Sequence, residues 1–206
     1  MLYSSTVKFK GYDLTNVPTS TGRADMLVRV IRNIIYSKNA FESKMGLVFF
    51  PNATFLAEVS EFSGLHDRNA FLICPQSNYF QKSPFKISSE HELLNCFYES
   101  FLHLGDEFSD SLFFRTYSMN FYECIDILIE NGIKMYLLHE NGRIIRDFDE
   151  TTERMSFLLG DQFGYNDLDL ARLSSKVEGI SLGATSYLGS SAITLIKWML
   201  WKAGII

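Results

Sequence analysis

From Lys134 to the end of the chain, apolar runs too short for helices alternate with helical stretches, and glycines follow several of those runs. Lys134 to Leu138 fits a strand. Asn141-Gly142 fits a tight turn, with Arg143 to Arg146 as its return strand. Ser156 to Leu159 is a further apolar strand and ends on Gly160. A short helix around Leu168 to Leu173 leads to a strand over Glu178 to Leu182. A loop with Gly183 and Gly189 then precedes a last helix from about Ser190 to Ala203. This alternation predicts an α/β fold with a mostly parallel sheet and helices on both faces. In such sheets ligands sit at the carboxyl ends of strands, in the loops that lead to helices. Here those loops hold Gly160, Gly164, Gly183 and Gly189.

The first half of the chain is less regular. Thr6 to Lys10 alternates apolar and polar residues, as a half-exposed strand does. A polar loop through Asn16, Pro18, Thr19, Ser20 and Thr21 offers helix caps. Leu27, Val30, Ile31, Ile34 and Ile35 then recur at helical spacing, with Asp25 in the first turn and Arg29 and Arg32 off the apolar stripe. Gly46 to Phe50 and Phe55 to Val59 read as short strands around a Pro51-Asn52 turn. Ala70 to Cys74 reads as another, ended by Pro75. Gln76 to Ile87 reads as loop. Ser89 with Glu92 forms a capping box ahead of Leu93, Leu94, Phe97, Phe101 and Leu104. Asn120 with Glu123 repeats the pattern before a helix ending near Gly132.

Composition removes several function classes. With 47% hydrophobic and 21% charged residues the chain is an ordinary globular protein. Met1 to Lys10 lacks the apolar run of a secretory leader. Lys197 and Lys202 interrupt the most apolar stretch, Ala192 to Ile206, which is also too short to span a bilayer. The expected setting is cytoplasmic, with no membrane partner. Cys74, Cys96 and Cys124 are widely spaced in apolar surroundings and read as free thiols. The net charge of −5 is unevenly spread. Residues 1–46 hold seven Lys or Arg against three acids, and the other 160 hold twelve against twenty-one. A basic end on an acidic body fits a local phosphate footprint, but charge alone fits a solvated helix face better.

The chain has no Walker A, no G-x-G-x-x-G and no H-E-x-x-H, and its four histidines (His66, His91, His103, His139) lack metal-ligand spacing. No metal is expected. What remains is Gly160-Asp161-Gln162-Phe163-Gly164 and the run Ile180 to Thr185, where glycine lets backbone groups approach a flat ligand. Taken alone, these segments fit ordinary turn chemistry equally well.

Four segments carry a resemblance: Tyr136 to Gly142, Phe157 to Gly164, Ile180 to Gly183 and Ala192 to Leu195. Together they resemble the C-terminal half of the archaeal tRNA pseudouridine N1-methyltransferases of the SPOUT superfamily. Pro18 to Arg29 resembles that family's Gly-Arg-x-Asp segment, in the same order along the chain. The resemblance implies one SPOUT-type domain over 1–206. It also implies a C-terminal trefoil knot, with the cofactor-binding part in roughly 133–206, and a homodimer formed in part by the last helix. Such a dimer would account for Trp198, Leu200 and Trp201 spreading around one helix.

It further implies S-adenosylmethionine as cofactor, held by Leu138, Gly160, Ile180, Ser181, Leu182, Gly183, Ala184 and Thr185. Arg23 and Asp25 fall on the family's Arg and Asp, and so on catalysis of methyl transfer to N1 of pseudouridine in the tRNA T-loop. Arg29 and Arg32 are the candidate RNA contacts. Two departures stand out. Gln162 replaces a histidine of the family, and Tyr187 to Ala192 replaces a run containing histidine and cysteine. Methylation of a ribosomal RNA pseudouridine therefore stays open. So does a non-catalytic knotted RNA-binding or assembly module.

Overall fold

The structure is a computed structural model that describes residues 1–4, 16, 23–35, 48–49, 70–75, 89–102, 114–146, 148, 154–161 and 164–205. The chain divides into two compact units, one of Met1–Tyr3 with Tyr122–Ile206, the other Ser4–Phe121.

The first unit holds β1 (Leu2–Tyr3), most of α3 (Phe121–Glu130), β5 (Lys134–Ile144), β6 (Met155–Gly160), α4 (Asp167–Ser174), β7 (Glu178–Ser181) and α5 (Gly189–Lys202). Its strands stand side by side in the order β1-β6-β5-β7, and every pairing among them is parallel. The chain adds β6 on one side of β5 and then returns to add β7 on the other. The carboxyl ends of β6, β5 and β7 thus flank a point where the order reverses, the position at which open α/β sheets take ligands.

Each helix has a local reason to start or stop. α3 ends because Gly132 adopts φ +76°, which lets Ile133 N donate to Leu128 O at 3.0 Å and Gly132 N to Ile129 O at 2.9 Å. α4 begins where the Asn166 side chain accepts from Asp169 N at 2.9 Å. α5 buries Ala192, Ile193, Ile196, Met199 and Leu200. Of these, Ile196, Met199 and Leu200 join Tyr136, Ile145, Phe148 and Ile180 in one core cluster. Phe157 packs against it, its ring 5.5 Å from those of Tyr136 and Phe148.

The second unit holds α1 (Ala24–Ile35), β2 (Val48–Phe49), β3 (Ala70–Pro75), α2 (Glu90–Leu102) and β4 (Phe114–Met119). Here β2 pairs with β3 and β3 with β4, both antiparallel. The expectation of a mostly parallel sheet therefore holds for the C-terminal strands and fails for these three. Leu27, Val28, Val30 and Ile31 of α1 are buried, as are Leu93 and Leu94 of α2, and the two helices pack together. The capping box expected at Ser89 is present. Ser89 N donates to Glu92 Oε2 and Glu92 N to Ser89 Oγ, each at 3.1 Å.

One local reading is corrected. Asn141-Gly142 is not a hairpin turn, and Arg143 to Arg146 is not a return strand. β5 runs parallel to β7 through Leu138, which pairs with Ile180, and resumes in the same direction with Arg143 again opposite Ile180. Residues 139–142 are an outward excursion from a continuing strand. The strands expected over Thr6–Lys10 and Phe55–Val59 and the loop over Gln76–Ile87 lie outside the described residues.

Candidate cofactor site

The residues expected to hold a cofactor fall at the carboxyl ends of neighbouring parallel strands. Leu138 closes the first run of β5 and pairs with Ile180 of β7. Gly160 is the last residue of β6, two residues beyond the Leu137–Leu158 pair. Ile180 and Ser181 end β7 and are buried, while Leu182 and Gly183 are half-buried and Ala184 and Thr185 exposed. Exposure thus rises steadily as the chain leaves the strand.

Two glycines there are required by geometry. A Cβ at Gly160 would lie 2.8 Å from Gly164 Cα, because the chain doubles back on itself with Gly164 N donating to Asp161 O at 3.0 Å. Gly183 takes φ +129°, which L side chains rarely adopt. The buried Ser181 hydroxyl pins that turn, donating to Gly183 O at 3.0 Å and accepting from Gly183 N at 3.2 Å. Ser181 O accepts in turn from Ile145 N at 2.9 Å, tying β7's end to the segment after β5.

Beside β6 stands a polar cluster that sequence reasoning did not find. Asp169 accepts from the phenols of Tyr3 and Tyr122 and, at 2.7 Å, from Asn166 Nδ2. The Arg172 guanidinium lies 3.7 Å from the centre of the Tyr122 ring. Burial, then the bond to Asp169, pushes both tyrosines well above the ordinary phenol range, so they stay protonated donors. Tyr165 stacks at 4.7 Å on Tyr3, and burial raises it too. Its hydroxyl has no partner among the described residues. The only hint in the sequence was Asn166 with Asp169, spaced as a helix cap.

Arg23 and Asp25 belong to the second unit. They form a two-point pair, Nε to Oδ1 at 3.1 Å and Nη2 to Oδ2 at 3.3 Å. Arg23 is the single non-glycine residue with positive φ (+71°) among those described. Arg29 and Arg32 are exposed and converge on Glu90, at 3.3 Å and 3.6 Å. Gln162 lies outside the described residues. Among the described residues no group of His, Cys, Asp and Glu is arranged to hold a metal, and no helix is long and apolar enough to cross a membrane. Cys96 and Cys124 are free thiols.

No family model matches the chain. The tRNA (pseudouridine(54)-N(1))-methyltransferase of Pyrococcus abyssi is 31% identical over 88 residues, 43% of this chain and 43% of that protein. The enzyme of the same name from Thermococcus onnurineus is 36% identical over 66 residues, 32% of each chain. The chain thus matches well under half the length of these curated relatives. The crystal structure of Archaeoglobus fulgidus Nep1 bound to S-adenosylhomocysteine aligns over 96% of this chain and 77% of that one, with a TM-score of 0.58 and 12% identity. The resemblance to archaeal tRNA pseudouridine N1-methyltransferases therefore holds in sequence over part of the chain, and the fold is similar to that of Nep1 over nearly all of it.

Proposed function

We propose that this chain is an S-adenosylmethionine-dependent RNA methyltransferase that methylates N1 of pseudouridine, with position 54 of tRNA as its target. The observation that carries the reading is the gathering of Leu138, Gly160 and Ile180–Thr185 at the carboxyl ends of adjacent parallel strands. The relatives named tRNA (pseudouridine(54)-N(1))-methyltransferase and the Nep1 structure bound to S-adenosylhomocysteine point the same way.

The residues present fit the cofactor. The Gly160 turn brings backbone close with no room for a side chain, the Ser181–Gly183 turn is fixed from within, and the half-buried Leu138 and Leu182 supply apolar surface. S-adenosylmethionine, when bound, supplies an electrophilic methyl group on a sulfonium. Backbone groups of Gly160 and of Ile180 to Thr185 would hold the adenine, and the apolar surface beside them would exclude water from it. Most of the rate then comes from alignment of the two reactants. Pseudouridine N1 would lose its proton as its lone pair forms the new bond to the methyl carbon, while the sulfur–methyl bond breaks with its electrons kept on sulfur, leaving the thioether S-adenosylhomocysteine. In this reading Asp25 orients or accepts that proton, and Arg23, already paired to it, steadies a uracil carbonyl or a phosphate. Arg29 and Arg32 contact the RNA backbone, in competition with Glu90.

The reading includes the C-terminal knot and a homodimer. The face of α5 opposite its buried residues carries Trp198 and Trp201, 51% and 68% exposed, which a second copy would cover.

The test is methyl transfer from labelled S-adenosylmethionine to tRNA transcripts with pseudouridine or uridine at the target, read by nucleoside mass spectrometry. N1-methylpseudouridine should form only on the first. Arg23→Ala and Asp25→Ala should each slow it about a hundredfold. Full turnover in both variants would remove these two roles. Transfer only to ribosomal RNA would move the substrate, and salt-sensitive RNA binding with no transfer would favour an assembly module.

A further inference from the structure

The excursion in β5 is unusual because the ladder resumes on the residue where it stopped. Leu138 and Arg143 both stand opposite Ile180, so residues 139–142 are extruded beside the carboxyl end of β7. Gly142 makes this possible. A Cβ there would lie 2.5, 2.6 and 2.7 Å from Ile180 C, N and Cα, all backbone atoms that cannot swing aside. Across the same contact, a Cβ at Gly179 would meet Gly142 Cα at 3.8 Å, an ordinary distance.

Within the excursion, Asn141 N donates to His139 Nδ1 at 3.2 Å. An imidazole that accepts at Nδ1 carries its proton on Nε2 when neutral. The excursion therefore holds a ring N–H donor of fixed tautomer, on a residue that is itself half-buried. It adjoins Leu138 in sequence and Ile180 across the ladder, neither of which has a side-chain donor.

We propose that His139 is a cofactor-binding residue. Its Nε2–H donates to an acceptor atom of S-adenosylmethionine, and the seat of Gly142 against Ile180 holds the excursion in place for it. This rests on the reading of the strand-end crevice as the S-adenosylmethionine site. A glycine required by close approach explains the excursion's shape, and the fixed tautomer explains why it carries a histidine rather than any polar residue.

Two substitutions separate this role from that of a mere turn. His139→Asn keeps an acceptor near the Nδ1 position for Asn141 N–H and lacks the distal donor. His139→Gln places an amide N–H near the Nε2 position and gives up the local acceptor. Calorimetric titration of S-adenosylhomocysteine into the full chain should show His139→Gln within about threefold of the parent. His139→Asn should be weaker by about tenfold, the effect of one lost ligand hydrogen bond. The reverse order, as a turn-only role demands, would overturn the proposal. Gly142→Ala should also weaken binding by about tenfold or more, while Gly179→Ala stays within about twofold. If Gly142→Ala fails to fold by circular dichroism, the histidine pair decides alone. A parent chain that binds nothing removes both the cofactor reading and this inference. A parent that binds, with undiminished binding in His139→Asn, removes only the inference.

Discussion

The two units use strands in opposite ways, and the difference explains where a site can form. In the first unit the described strands all pair in parallel, so consecutive strand ends and the loops after them collect at one edge. In the second, β2 and β4 each run antiparallel to β3, so the carboxyl ends of neighbouring described strands lie at opposite edges. The glycine turns at Gly160 and Gly183 lie on the parallel side. The second unit contributes ion pairs instead: the half-buried Arg23 with Asp25, and the exposed Arg29 and Arg32 with Glu90. The exposed pairs on Glu90 are worth little in stability, so any importance they have rests on what they bind.

The sharpest way to break this comparison is to make the same kind of hole in both units. Ile180 in β7 and Leu93 in α2 are both fully buried. Ile180→Ala and Leu93→Ala should each cost about 2–5 kcal/mol in urea unfolding, the range for truncating a buried aliphatic side chain. Only Ile180→Ala should weaken S-adenosylhomocysteine binding, since Ile180 lies at the end of the strand that bears the proposed cofactor loop and Leu93 belongs to the other unit. Equal loss of binding in both would mean that the crevice depends on general stability and not on the parallel edge.

A second effect, expected to be somewhat smaller, belongs to the first unit alone. Burial pushes the Cys124 thiol up to about 11, from an ordinary value near 9. Above pH 9 the unfolded chain ionises this group while the folded one keeps its proton. The stabilising contribution is thus complete below pH 9 and is lost as pH rises to about 11. Cys124 should account for about 2 kcal/mol of that loss, and Tyr3, Tyr122 and Tyr165, which the unfolded chain ionises from about pH 10, add to the decline beyond it. Denaturant midpoints for Cys124→Ala should stay flat between pH 9 and about pH 10, where the parent already declines. A parallel decline in both would assign the slope to other groups.

The same contrast governs what could be read from the sequence. The C-terminal strands were legible because each is a short apolar run closed by glycine or by a helix signal, and the helix over Leu27 to Ile35 because its stripe has helical spacing. Asn141-Gly142 misled because that pair is the strongest short-range sign of a hairpin. Its glycine is instead required by a partner 38 positions away, Ile180, which local pattern cannot reveal. The Asp169 cluster escaped for the same reason. Its tyrosines come from β1 and α3, 166 and 47 positions distant. What local physics decides was visible, and what register between distant strands decides was not.

The smallest predicted effect tests whether the second unit is as locally determined as its sequence implied. Its reciprocal cap joins Ser89 and Glu92 at 3.1 Å in both directions, ahead of the buried Leu93 and Leu94. Ser89→Ala removes the acceptor for Glu92 N and leaves a helix-end N–H to water, which should cost about 1 kcal/mol. Ser89→Asp restores the acceptor and adds favourable charge at the helix start, so it should recover the parent midpoint. Neither change should alter cofactor binding, because α2 and the strand-end loops belong to different units. A cofactor affinity that followed the Ser89 series would show the two units to be coupled, and the contrast between a parallel edge of strand-end loops and a locally capped antiparallel unit would then fail.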